Sequence, residues 1–113
     1  MSLKKAFMYD SYHNKIRHTY INPDDPEAIS WVISSKKYQT LLNLTINEKR
    51  FLVIGDNKSR SINGIMVKYN NQNYLLKGSI LFLCVSSDLM SVNDAEVELN
   101  DISKLCKIIN SHD

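Results

Sequence analysis

Between residues 37 and 46 apolar and polar side chains trade places with almost no error: Tyr38, Thr40, Leu42, Leu44 and Ile46 fall on one side, Gln39, Leu41, Asn43 and Thr45 on the other. A period of two sends successive side chains to opposite faces of a pleated strand, so this stretch predicts β-structure. Asn47, Glu48 and Lys49 form a short polar turn, and Phe51-Leu52-Val53-Ile54 starts the return strand. Residues 55–59, Gly-Asp-Asn-Lys-Ser, break that strand with turn-tolerant residues. Ile65, Val67 and Tyr69 then alternate with Met66 and Lys68, residues 70–73 turn again, and residues 74–85 read as one further strand. With connections this short, neighbours in sequence are expected to be antiparallel neighbours in space, which makes residues 38–86 a β-meander.

The flanks supply the remaining elements. Residues 4–12 and 15–21 predict a hairpin joined through His13-Asn14, with Phe7 and Tyr9 on one face of the first strand and Ile16, His18 and Tyr20 on one face of the second. In Asn22-Pro23-Asp24-Asp25-Pro26-Glu27, an Asp can accept the free N–H groups of a helix start. Pro suits the first turn, and Glu favours the positive end of the helix dipole. A helix is therefore expected from about residue 26 to 34 or 35, with Ala28, Ile29, Val32 and Ile33 forming its apolar side. Trp31 flanks them and is expected to be largely buried on the sheet. Near the end, Ala95, Leu99, Ile102, Cys106 and Ile109 recur at helical spacing behind a capping pair, Asn93 and Glu96, which predicts an amphipathic helix over residues 94–110. The competing reading makes residues 96–99 a short strand and starts the helix at Asn100-Asp101. The expected fold is α+β in two layers, an antiparallel β-meander sheet carrying two helices in the order ββαββββα.

Composition narrows the class without naming an activity. At 113 residues the chain is expected to form a single domain over residues 1–113, large enough to fold without metal or disulfide. Its 43% hydrophobic and 23% charged content argues against disorder. Cys84 and Cys106 both lie in apolar patterns and read as buried thiols, not a disulfide framework. No apolar core follows the charged residues 1–6, and the longest apolar run, residues 80–85, is far too short for a membrane span. A reducing, cytoplasmic setting with no membrane is expected.

Charge is unevenly spread. Residues 1–87 hold 12 Lys/Arg against 6 Asp/Glu, a surplus of +6, whereas residues 88–113 hold 2 against 6, a deficit of −4. Arg50, Lys58, Arg60, Lys68 and Lys77 are a candidate basic patch at the turns and neighbouring strands. Asp94, Glu96, Glu98 and Asp101 are a candidate acidic face that could dock a basic partner.

Catalytic chemistry finds little support in the pattern. His13, Arg17 and His18 could perform general acid–base cleavage of RNA, but the hairpin sends His18 and Arg17 to opposite faces and leaves His13 in the turn; His112, near the end of the sequence, is expected to be frayed. No Cys-x-x-Cys or His-x-x-x-His occurs to hold a metal, no Gly-x-Ser-x-Gly presents a nucleophile, and Gly55, Gly64 and Gly78 are too isolated for a phosphate loop, so no cofactor is expected. Ser61-Ile62-Asn63-Gly64 resembles the Ser-x-x-Gly element of the cyclic-dinucleotide-binding PilZ barrels. The Asp or Asn of that motif is Ser59 here, and no Arg-x-x-x-Arg occurs among Arg17, Arg50 and Arg60, so no site is carried over. Nucleic-acid binding would use the basic turns, with Tyr69 and Tyr74 as stacking platforms. The remaining reading, reached by elimination, is a non-enzymatic protein-binding module, such as a stoichiometric inhibitor of immunity or antitoxin type.

Overall fold

The computed structural model describes residues 3–110. In chain order it contains β1 (Lys4–Asp10), β2 (Lys15–Ile21), α1 (Ala28–Ile33), β3 (Gln39–Ile46), β4 (Lys49–Gly55), β5 (Asn63–Tyr69), β6 (Gln72–Lys77), β7 (Ile80–Val85), α2 (Leu99–Ser103) and β8 (Cys106–Asn110). The strands form two antiparallel sheets, a five-stranded one ordered β2-β1-β7-β4-β3 and a three-stranded one ordered β6-β5-β8. The α+β, antiparallel class expected from the pattern is the observed one.

Three hairpins form where alternation and turn chemistry agree. In the β3–β4 turn Asn47 and Glu48 have φ of 51° and 68°, and in the β5–β6 turn Asn70 and Asn71 have φ of 50° and 63°. Two consecutive positive φ values match the twist of the flanking strands, and Asn tolerates them better than most residues. The β1–β2 connection is longer, with Asn14 alone at positive φ (55°), and the Asn14 side-chain Oδ1 accepts the Tyr9 hydroxyl at 2.5 Å.

The meander does not continue as one sheet. Residues 74–85 are two strands, because Gly78 takes φ +81° and Ser79 carries the chain across to the other sheet. The burial pattern explains the break. β6 alternates, as suits a strand with one wet face, whereas all six residues of β7 are buried. Ile80, Phe82 and Cys84 pack towards the three-stranded sheet, while Leu81, Leu83 and Val85 pack towards α1. A strand apolar on both faces belongs at the centre of a layered structure, and β7 sits there between β1 and β4. β4 and β5 are consequently not paired, and residues 56–62 cross from one sheet to the other.

The expected long C-terminal helix is also corrected. Asn93 caps nothing; Ala95 and Val97 bury their side chains while Glu96 and Glu98 stay exposed, in a segment without regular pairing. α2 is a five-residue helix begun at Glu98, whose N–H donates to Asp101 Oδ2 at 2.9 Å. The competing reading placed the helix start within a residue, although the stretch before it is not a strand. After α2 the chain extends, and β8 pairs with β5 on the side opposite β6. Ile108 and Ile109 are β-branched and the free edge of β5 needed backbone partners, so tertiary pairing overrode the helical spacing. Ala95 and Ile102 of that stripe are fully buried; Leu99, Cys106 and Ile109 are half-buried.

α1 stops at Ser34, which takes the left-handed conformation at φ 61°. Its start at Ala28 falls two residues after the expected one: no side chain caps the helix, and Asp25 Oδ1 instead accepts the Glu27 N–H at 2.9 Å and holds the entry as a turn. Ala28, Ile29, Val32 and Ile33 pack on the five-stranded sheet as expected. Trp31 does not. At 100° per residue it lies roughly 130° around the helix from the centre of that stripe, and it is 76% exposed. His112 lies outside the described residues.

Truncating Ile102 to Ala should therefore cost about 2–5 kcal/mol in urea unfolding, as for other core aliphatics. Trp31→Ala should change stability by less than about 0.5 kcal/mol, the behaviour of an exposed side chain.

Candidate functional site

β1 and β4 finish, and β7 begins, at the same end of the five-stranded sheet, because both strands run antiparallel to β7. The β1–β2 turn, the C-terminus of α1, the crossing loop 56–62 and the Gly78-Ser79 corner therefore gather there. Two adjoining depressions lie among them, sharing Tyr12, Ser34 and Ser79.

The first, of about 370 Å³, is bordered by Tyr12, His13, Arg17 and Trp31 around Asp10. The Asp10 side chain is only 5% exposed. The Met8–Arg17 and Asp10–Lys15 pairs of the hairpin put Arg17 on the Asp10 face, so Arg17 Nη2 reaches Asp10 Oδ2 at 3.2 Å. His13 Nδ1 approaches the same oxygen at 2.7 Å, and the N–H groups of Tyr12 and His13 donate to Oδ1 at 3.0 and 3.3 Å. Burial alone would raise the Asp10 carboxyl, but the His13 ring and these N–H donors outweigh it and hold it below the usual carboxylate range. His18 stands on the other face of β2, its ring centroid 5.1 Å from that of Phe7. The structure thus groups His13 with Arg17 and separates His18 from both.

The second depression, of about 470 Å³, brings together three of the expected basic residues, Lys58, Arg60 and Lys77, over a floor of serine side chains. The other two lie elsewhere. Lys68 projects from β5 onto the outer face of the three-stranded sheet, a face it shares with Lys107 and Lys77 by the pairing register. Arg50 lies at the opposite end of the molecule, in a groove with Lys49, Glu48, Asp94 and Glu96.

The acidic residues are largely engaged within the chain. Asp94 Oδ1 accepts the Lys5 N–H at 2.8 Å, Glu96 lies 3.9 Å from Lys49, and Asp101 meets Lys104 at 3.4 Å and Asn47 at 3.3 Å. No ion pair engages Glu98 among the described residues. Of these four, Glu96 meets a cation of the five-stranded sheet, Asp94 is held by a backbone N–H, and Asp101 pairs within its own segment.

Both cysteines are free thiols. Cys84 is buried on β7, where burial raises its pKa, and Cys106, on β8 and not on a helix, is pushed up by burial to about 12. Such a thiol stays protonated and is a poor nucleophile. Among the described residues, no three His, Cys, Asp or Glu side chains gather as a metal site would require, and no helix is long and apolar enough to cross a membrane.

Sequence reasoning missed Asp10, Tyr12 and Trp31. Asp10 had a signal, since a carboxylate ending a buried apolar strand needs partners nearby. Comparison with family models, with curated proteins and with solved structures found no match for this chain.

Asp10 is stabilising while ionised. A carboxyl whose folded-state pKa is depressed contributes stability above its unfolded value, near 4, and loses it as pH falls through the folded value. Asp10→Asn should lower stability by about 1–3 kcal/mol at neutral pH. That deficit should shrink as pH drops below about 4, which urea titrations of both proteins between acid and neutral pH would read.

Proposed function

We propose that this protein is a non-enzymatic protein-binding module whose contact surface is the end of the sheet bearing Trp31, Tyr12 and Arg17. The observation that carries this reading is Trp31. It is the sequence's one tryptophan, it does not serve the core, and it stands 76% exposed on the border of a depression that Tyr12, also 76% exposed, and Arg17 share. Trp, Tyr and Arg are the residues most enriched among interface hot spots, because each buries a large area with a polar handle at its edge. Arg17 is already held by Asp10, so little conformational freedom is lost when a partner covers it. Lys58, Arg60 and Lys77 in the adjoining groove add a positive field that would steer an acidic partner. Free thiols in apolar surroundings suit a reducing, intracellular setting. A small domain acting through one end surface suits a stoichiometric inhibitor better than a scaffold.

The test is affinity capture from the native host after nuclease treatment. Trp31→Ala and Tyr12→Ala should each weaken the captured complex by about 30-fold or more, the hot-spot scale, while circular dichroism and melting temperature stay unchanged. Charge reversal at Lys58 and Arg60 should slow association and reduce its salt dependence. Capture that survives Trp31→Ala, or that disappears with nuclease, would sink this reading.

One observation favours a second reading, nucleic-acid binding. β5, β6 and β8 contain no Asp or Glu, and their outer face carries Lys68, Lys77 and Lys107 around Met66 and Leu75. A basic face whose strands carry no carboxylate suits a phosphate backbone. It would then give salt-dependent RNA retention that Lys68→Gln and Lys107→Gln reduce; retention indifferent to both would exclude it.

A further inference from the structure

We infer that the groove between the β4–β5 crossing loop and the Gly78-Ser79 corner is a binding site for a phosphomonoester. This goes beyond the protein-binding surface at Trp31 and can fail without it. The first ground is charge. Lys58, Arg60 and Lys77 border the groove, all three are exposed, and none makes an ion pair among the described residues. Asp56 is the one carboxylate on its wall, and it is held ionised by the backbone N–H of Lys58 and the hydroxyl of Ser35. With Asp56 offsetting one of the three cations, the groove carries a surplus of two positive charges. A phosphomonoester at neutral pH carries roughly −1.5 to −2.

The second ground is the direction of the hydrogen bonds. Ser59 Oγ accepts the Ser61 N–H at 3.2 Å, and Ser61 Oγ accepts the Asn63 N–H at 3.1 Å. Each hydroxyl therefore spends acceptor capacity on the backbone and keeps its O–H proton to donate. Ser79 Oγ accepts the Ser11 N–H at 3.1 Å and shares a bond with Ser11 Oγ at 3.0 Å. Whichever of that pair donates, the other hydroxyl retains a proton. The groove thus has a surplus of donors beside a surplus of positive charge, and its complement is a ligand that only accepts. A phosphate group offers three acceptor oxygens in a tetrahedral spread, which suits hydroxyls and cations arriving from several walls. An apolar ligand would leave those donors unpaired, at a cost it could not recover.

The walls are fixed. The Gly78 N–H donates to Asn63 O at 3.0 Å, and a Cβ at Gly78 would come within 2.5 Å of Ser59 Oγ, so crossing loop and corner are in close contact. Ser79 is 4% exposed and anchors the floor. The same phosphomonoester could arrive on a nucleotide, with the exposed Tyr12 ring at the border available to the base, or on a phosphorylated side chain.

The experiment is a titration of the ¹⁵N-labelled protein, at constant ionic strength, with inorganic phosphate, adenosine 5′-monophosphate and O-phosphoserine, with chloride as the control. Saturable shifts confined to the amides of residues 11, 58–61 and 77–79 are expected with all three phosphates and not with chloride. Adenosine 5′-monophosphate binding tighter than O-phosphoserine, with Tyr12 shifting, would identify the nucleotide source; the reverse order would identify a phosphorylated side chain. Replacing Lys58, Arg60 and Lys77 together by Gln should weaken binding about tenfold or more, whereas Lys68→Gln with Lys107→Gln should not change it. Should the triple variant unfold, Arg60→Gln and Ser61→Ala singly should each still weaken it. Shifts that never saturate, that spread over every cationic surface, or that ignore both the Gln and the Ser61→Ala replacements would overturn the inference.

Discussion

Strand β7 carries six apolar side chains in a row, and neither its odd nor its even positions can face water without exposing a large apolar surface. One set must be covered by the three-stranded sheet and the other by α1, so β7 has to lie between layers. From that constraint the rest follows. β1 and β4 flank β7 on its two edges and satisfy its backbone, each hairpin partner lies outside them, and the chain must cross between sheets on either side of the β5–β6 hairpin. The crossings cannot be long regular strands, and they occur at residues 56–62 and at Gly78-Ser79.

Those crossings are also what shapes the candidate surface. A turn, a helix end, a loop and a corner meet at one end of the five-stranded sheet because the strands they terminate are antiparallel neighbours. None of the four is regular, so their hydroxyls and N–H groups are free to bond one another and to line a groove. The other end follows similar geometry but closes electrostatically. There Asp94 and Glu96 meet the Lys5 backbone and Lys49, and the segment between β7 and α2 is tied down. The Ala95 N–H donates to Lys5 O at 3.0 Å, which completes the attachment to β1. One end of the molecule is therefore self-neutralised, and the other keeps exposed cations and an exposed tryptophan.

Asp10 shows how the core and this surface are coupled. It ends a strand whose preceding residues are buried, and it is accepted there only because Arg17, His13 and two backbone N–H groups converge on it. Its ionisation holds the β1–β2 turn, and with it Tyr12, in place. A change at that carboxylate would be felt as stability and as geometry of the binding surface together.

What the sequence by itself determined were the elements whose signals are local. Alternation in residues 42–46 and Asn at the tight turns carry their cause within a few residues, and those elements formed there. The irregularity between Thr40 and Leu42, which turns Thr40 to the opposite face and lets both Leu41 and Leu42 pack on the core, breaks the expected alternation. The segregation of His18 from Arg17 followed in the same way from strand parity. What only the tertiary structure decided depends on partners distant in sequence. Residues 74–85 are apolar throughout, and nothing local says that the second half must be shared between two layers and the first half must not. Cys106 and Ile109 fit a helix as well as a strand until β5 offers an edge. Trp31 looked like core because hydrophobicity says what a residue tolerates, whereas its azimuth on a six-residue helix decides what it touches. The assembly of Lys58, Arg60 and Lys77 with serines from separate turns, and the dispersal of Arg50 and Lys68, are set by which strand ends coincide, and that is a property of sheet order alone.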